Sequence, residues 1–113
     1  MQKKSYDEIW DEVFDEKNSD IYFVVVMTNE YCPKCKELLD YLAILEERYS
    51  KESKPIRFLQ YETEKFLLFG PTIFPAVASY KRGERNWEGH GLPPDGKMET
   101  IEYSIDEWMR KHK

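Results

Sequence analysis

A chain of 113 residues with 41% hydrophobic residues has the material for one domain with a real core, and this excludes a disordered chain. Its net charge of -5 and pI near 5.1 argue against a nucleic-acid surface as the main function. No apolar run approaches the roughly 20 residues of a membrane span, and the opening MQKKSYDEIW has no apolar stretch of the secretory kind.

Ser5 and Glu8 have the spacing of a capping box. Tyr6, Ile9, Trp10, Val13 and Phe14 follow at helical spacing, so an amphipathic helix is expected from Tyr6 to Glu16. Its acidic outer face reads as solvated. Ile21 to Met27 is an unbroken apolar run, rich in β-branched and aromatic residues and flanked by polar triplets. It fits a strand buried on both faces of a sheet covered by helices. Cys32-Pro33-Lys34-Cys35 follows at once. Pro33 suits the first position of a helix, which places Cys32 at the N-cap and Cys35 one turn inside. That helix is expected to run to Tyr49, with Cys35, Leu38, Leu39, Leu42, Leu45 and Tyr49 as its apolar stripe.

Ser50 to Pro55 is a polar loop. Ile56 to Tyr61 alternates apolar and polar residues like a strand, completing a βαβ unit. Thr63 to Phe69, stopped by Gly70-Pro71, suggests one or two helical turns. Pro75 opens a strand to Tyr80, a position a sheet tolerates for proline. Lys81 to Glu84 is a turn, and Arg85 to His90 a returning strand. Glycines and prolines punctuate a loop to Lys97. Ser104 and Glu107 form a second capping-box pattern, so a last helix is expected to start at Ser104 and end in basic residues. Met98 to Tyr103 either extends that helix or forms a short extended segment.

The chemistry sits at the cysteines. The two-residue gap between them closes too small a loop to staple a fold, and a cytoplasmic redox or metal role fits that usage better. A thiolate is the nucleophile in disulfide exchange, and a helix N-terminus favours negative charge on Cys32. Lys34 and Lys36 add positive charge, and Glu30 opposes them. Cys32 is therefore the candidate nucleophile. Cys35 is the candidate resolving thiol, able to attack a mixed disulfide on Cys32 and expel the partner. Zinc would require about four ligands, and His90 and His112 lack a suitable spacing, so no metal site is expected. The plainer readings are that Lys34 and Lys36 are exposed helix residues, Tyr31 packs at the rim and His90 lies on a hairpin surface.

The order of elements resembles the thioredoxin superfamily. Val24 to Lys36 looks like the glutaredoxin active-site strand, whose motif is typically Cys-Pro-Tyr-Cys preceded by tyrosine. Phe74-Pro75 running into Lys81-Arg82-Gly83-Glu84 looks more like thioredoxin, where a cis-proline strand leads to a Lys-x-Gly-Glu turn. The resemblance implies an α/β, thioredoxin-like fold: a central mixed four-stranded sheet flanked by helices. It implies one domain over residues 1–113, with an N-terminal helix in 1–20 and the core in 21–113. It implies a dithiol–disulfide oxidoreductase, glutaredoxin-like and active in electron transport, with Cys32 exposed and Cys35 buried. A cis Pro75 would lie beside them, and Phe74 would offer its backbone to an extended substrate. Tyr31, Pro33, Lys34, Phe74 and Pro75 are thus the candidate substrate-binding residues.

No bound cofactor is implied, although some glutaredoxin-like proteins hold an iron–sulfur cluster across a dimer. Electrons would come from a thioredoxin reductase or the glutathione system. The partners would be protein disulfides, with no nucleic acid and no membrane, for a cytoplasmic monomer. Two departures stand out. Val26 occupies the place of a buried Asp of thioredoxins; the Thr-Val-Pro of glutaredoxins is here Ile73-Phe74-Pro75, and their Gly-Gly-Asp is either absent or replaced by Gly89-His90-Gly91-Leu92. They motivate an alternative, a non-catalytic thioredoxin-fold module that docks a partner protein.

Overall fold

The computed structural model describes residues 1–29, 32–63, 75–82, 84–90 and 99–112, with 63 and 85–90 described by their backbone. Its centre is the apolar run. Strand β2, Tyr22–Asn29, is buried from Tyr22 to Val26 and again at Thr28. Side chains alternate along a strand, so the run serves two cores. Tyr22, Val24 and Val26 pack with helix residues Leu38, Leu42, Leu45, Tyr49, Ile101, Ile105 and Trp108 on one face. Phe23 and Val25 pack with Ile9 and Val13 on the other.

Those partners come from three helices. Helix α1, Tyr6–Val13, opens on the expected capping box: the Glu8 N–H donates to Ser5 Oγ at 3.3 Å, and the Ser5 N–H donates to Glu8 Oε1 at 3.1 Å. It stops short of Glu16 because Asp15 caps a new turn. The Asp15 carboxylate accepts from the Lys17 N–H at 3.0 Å and starts a 3-10 turn, Glu16–Asn18. Helix α2, Pro33–Lys51, buries Cys35, Leu38, Leu42, Leu45 and Tyr49, the alternating three- and four-residue spacing of one helical face. Leu39 is half-buried at the margin of that stripe.

Helix α3, Glu99–Lys111, corrects the expected start at Ser104. Ser104 lies mid-helix and its hydroxyl donates to the Thr100 carbonyl at 2.9 Å, while Glu107 pairs with Arg110 at 2.7 Å. The Ser-x-x-Glu spacing marks a helix start only where the backbone before it is extended. Here the apolar period extends back to Ile101, and Ile101, Ile105 and Trp108 share one buried face. The ambiguous segment before Ser104 is thus helical from Glu99 onward.

Strand β3, Ile56–Thr63, runs parallel to β2 from Tyr22↔Ile56 to Asn29↔Thr63, two residues beyond the expected Tyr61. The helical turns expected over Thr63 to Phe69 otherwise lie outside the described residues. Strand β4, Ala76–Lys81, is antiparallel to β2, and β5, Glu84–His90, is antiparallel to β4. These four strands make the expected mixed sheet. A fifth, β1, Gln2–Lys3, adds parallel to the outer edge of β3, giving the order β1-β3-β2-β4-β5. Two residues are too few to show a period in the sequence. Helix α1 packs on one face, and α2 and α3 on the other.

Polar contacts fix α3 against α2. The Tyr49 hydroxyl donates to Asp106 Oδ1 at 2.8 Å, the Tyr41 hydroxyl to Glu102 Oε2 at 3.3 Å, and Arg48 pairs with Glu102. The far end of α3 is held by Lys81, whose ammonium donates to the His112 carbonyl at 2.7 Å and lies 4.1 Å from the centre of the Tyr22 ring. Tyr22 itself donates to the same carbonyl at 2.8 Å.

Candidate active site

The site forms where β2 hands over to α2. The Cys32 N–H donates to the Asn29 carbonyl at 3.2 Å, which turns the chain as it leaves the strand. Cys32 is the N-cap with extended backbone (φ -115°, ψ 96°), and Pro33 takes the first helical position, where its missing N–H costs no intrahelical bond. One turn later, the Cys35 N–H donates both to the Cys32 carbonyl at 3.2 Å and to the Cys32 sulfur at 3.1 Å. An N-cap side chain normally offers oxygen to the unpaired N–H groups of the first turn; here sulfur does so.

The two cysteines are joined as a disulfide, with Cα atoms 5.4 Å apart. They are not equivalent. Cys35 is 3% exposed at the top of the apolar stripe of α2, whereas Cys32 is only half-buried. An attacking group therefore reaches the Cys32 sulfur more readily.

Pro33 and Lys34 are exposed beside the pair, as is Lys36. Pro75 is buried immediately before β4. The register Met27↔Ala76 puts that residue at the C-terminal end of β2, the end from which the chain enters Cys32. The sheet thus brings Pro75 and the cysteines to one edge although 40 positions separate Pro75 from Cys35. Tyr31 and Phe74 lie outside the described residues, and so does the Phe74–Pro75 bond expected to be cis.

One polar pair at this end of the sheet escaped the sequence reading. Thr28 is 1% exposed and accepts from Gln60 Nε2 at 3.1 Å. Both lie on the sheet face that α2 covers, Thr28 by alternation from Val24 and Val26, and Gln60 by alternation from Phe58. The signal was present in that alternation, but threonine at a strand end reads equally well as a turn residue. Val26, where a carboxylate was absent from the sequence pattern, is fully buried among apolar side chains.

Among the described residues, no group of three or more His, Cys, Asp or Glu side chains is placed to hold a metal ion. No described helix is long and apolar enough to cross a membrane. The open groove of about 910 Å³ between β1, β3 and the end of α2 contains neither cysteine and is rimmed by charged residues such as Glu12, Glu46, Lys54 and Arg57.

No family model matches the sequence, and no curated protein matches it significantly. Solved structures do match. Thioredoxin f2 of Chlamydomonas reinhardtii superposes with a TM-score of 0.76 at 17% identity, over 95% of this chain and 94% of that one. A thioredoxin of Fasciola hepatica gives 0.75 at 12% identity, over 95% and 98%. A thioredoxin f2 in complex with ferredoxin:thioredoxin reductase gives 0.75 at 19% identity, over 94% and 92%. This chain has the thioredoxin fold.

Within that fold, the close cysteine pair stands at the head of α2. The reduced pair would expose one sulfur to attack and hold the second against the core, one helical turn away.

Proposed function

We propose that the protein exchanges disulfides with protein substrates, with Cys32 as nucleophile and Cys35 as resolving thiol. The observation that carries this reading is the bond from the Cys35 N–H to the Cys32 sulfur at the start of α2. Once the pair is reduced, the same N–H and the positive end of the helix favour a thiolate at Cys32.

The Cys32 thiolate attacks one sulfur of a substrate disulfide. A mixed disulfide forms, the substrate S–S bond breaks, and its second sulfur leaves as a thiolate that takes up a proton. Cys35 then loses its proton and attacks the Cys32 sulfur, releasing the substrate's first sulfur as the second thiol and closing the Cys32–Cys35 disulfide. Two electrons and two protons pass to the substrate. An external dithiol reductase or glutathione returns the pair to its reduced form. A reductase partner is supported by the neighbour whose complex contains ferredoxin:thioredoxin reductase. Tyr31, Pro33, Lys34, Phe74 and Pro75 act as the substrate-binding residues, and the protein works as a monomer in the cytoplasm.

The test is reduction of insulin disulfides by the pre-reduced protein, coupled in turn to a thioredoxin reductase and to a glutathione system. Turnover with one of them is expected. Cys32→Ser abolishes it, and Cys35→Ser accumulates mixed disulfides. No turnover with either system overturns the proposal.

A further inference from the structure

Lys34 and Lys36 bracket Cys35 in the first turns of α2, and both are exposed. Among the described residues neither has an ion-pair partner, although Glu37 and Asp40 stand three and four positions further on, at spacings that permit pairing on a helix. Five other lysines are engaged, Lys3 with Glu62, Lys4 with Glu12, Lys51 with Glu47, Lys54 with Glu52, and Lys81 with the end of α3; among the described residues Lys17 and Lys111 are as uncommitted as Lys34 and Lys36, but neither belongs to the turn that carries the cysteines. Successive helical residues are about 100° apart, so Lys34 and Lys36 stand on opposite shoulders of the line along which Cys35 enters the core. The rim of the redox site therefore carries two uncommitted positive charges in a chain whose net charge is -5.

We propose that Lys34 and Lys36 select target disulfides flanked by acidic residues; this rests on the oxidoreductase reading above. The whole-chain charge argues for the opposite preference, and distance decides between the two. At physiological salt the Debye length is about 8 Å, so remote carboxylates are largely screened from a segment docked at Cys32. Charges at the rim act at contact range and govern encounter rate and its salt dependence. An acidic flank gains two exposed ion pairs, and a basic flank meets two like charges.

The experiment uses three synthetic peptides that share one intramolecular disulfide and differ only in flanking Glu, Gln or Lys. Each is mixed with pre-reduced protein in a single turnover. Loss of the two protein thiols and gain of two peptide thiols are followed together. The Glu peptide is expected to react fastest and the Lys peptide slowest, differing about tenfold at low salt and converging at high salt. The double variant Lys34→Glu/Lys36→Glu reverses the order. The ratio of Glu-peptide to Lys-peptide rates cancels any change the substitutions make to the Cys32 thiol itself. Equal rates for all three peptides, or a Lys peptide that is fastest in the unaltered protein, overturn this inference and leave the oxidoreductase reading intact. Failure to reduce any peptide overturns that reading instead.

Discussion

The Cys35 backbone N–H points at the Cys32 sulfur from 3.1 Å, one helical turn away. Such a donor favours the charged form of the sulfur once the disulfide opens, and the helix start adds to the same field. The Cys32 thiol should therefore be the more nucleophilic of the two once the pair is reduced. Alkylation of the reduced protein by neutral iodoacetamide, followed against pH, checks this. Cys32 is expected to react first, and Cys35 slowly because it is 3% exposed. Equal, slow reaction of both thiols across neutral pH would remove the physical basis of the site.

Tyr49 gives a pH dependence of stability independent of the cysteines. Burial raises its hydroxyl well above the ordinary tyrosine value, and the bond to Asp106 and the Asp106 charge push it the same way. The folded pKa therefore exceeds the unfolded one. The resulting stability is fully present below the unfolded value of about 10 and is lost as pH rises beyond it, because the unfolded chain gives up its proton first. Tyr49→Phe removes the donor and is expected to cost about 1 kcal/mol at pH 7, read by urea unfolding. The gap between variant and unaltered protein should narrow above pH about 10. A constant gap to pH 11 would mean that the hydroxyl is not held in its neutral form.

The sequence made the centre of this fold legible because its signals there were redundant. The run from Ile21 to Met27 had the length of a strand, the composition of a buried one and polar flanks, and both of its faces are covered as expected. Pro33 fixed the helix start beside Cys32 from two sides, by its ring and by the cysteine at the N-cap. Signals failed where a single local motif stood alone. Ser104 and Glu107 matched a capping box, but the side-chain pattern alone cannot say whether the preceding backbone is extended. The contacts of Ile101 with the core decide that, and they are tertiary. Strand β1 depends wholly on the edge that β3 offers it. Pro75 could be assigned to the site only through the resemblance, because the pairing of β4 with β2 that carries it there is long-range.

The two serine motifs can be set against each other directly. Ser5 caps α1 in fact: its hydroxyl accepts from the Glu8 N–H, the Glu8 carboxylate accepts from the Ser5 N–H, and hydrogen bonding to the Ser5 side chain and then its backbone holds Glu8 below the ordinary glutamate value. Ser104 sits inside α3 and donates back to the carbonyl of Thr100, a bond that helix geometry already satisfies through other groups. Ser5→Ala is therefore expected to lower stability by about 1 kcal/mol. Ser104→Ala replaces a modest helix former by the best one and should change stability by about 0.5 kcal/mol or less, in the stabilising direction. Thermal or urea unfolding of the two variants side by side reads the contrast. A loss at Ser104 as large as that at Ser5 would place the start of α3 at Ser104 and dismiss the turn that carries Ile101.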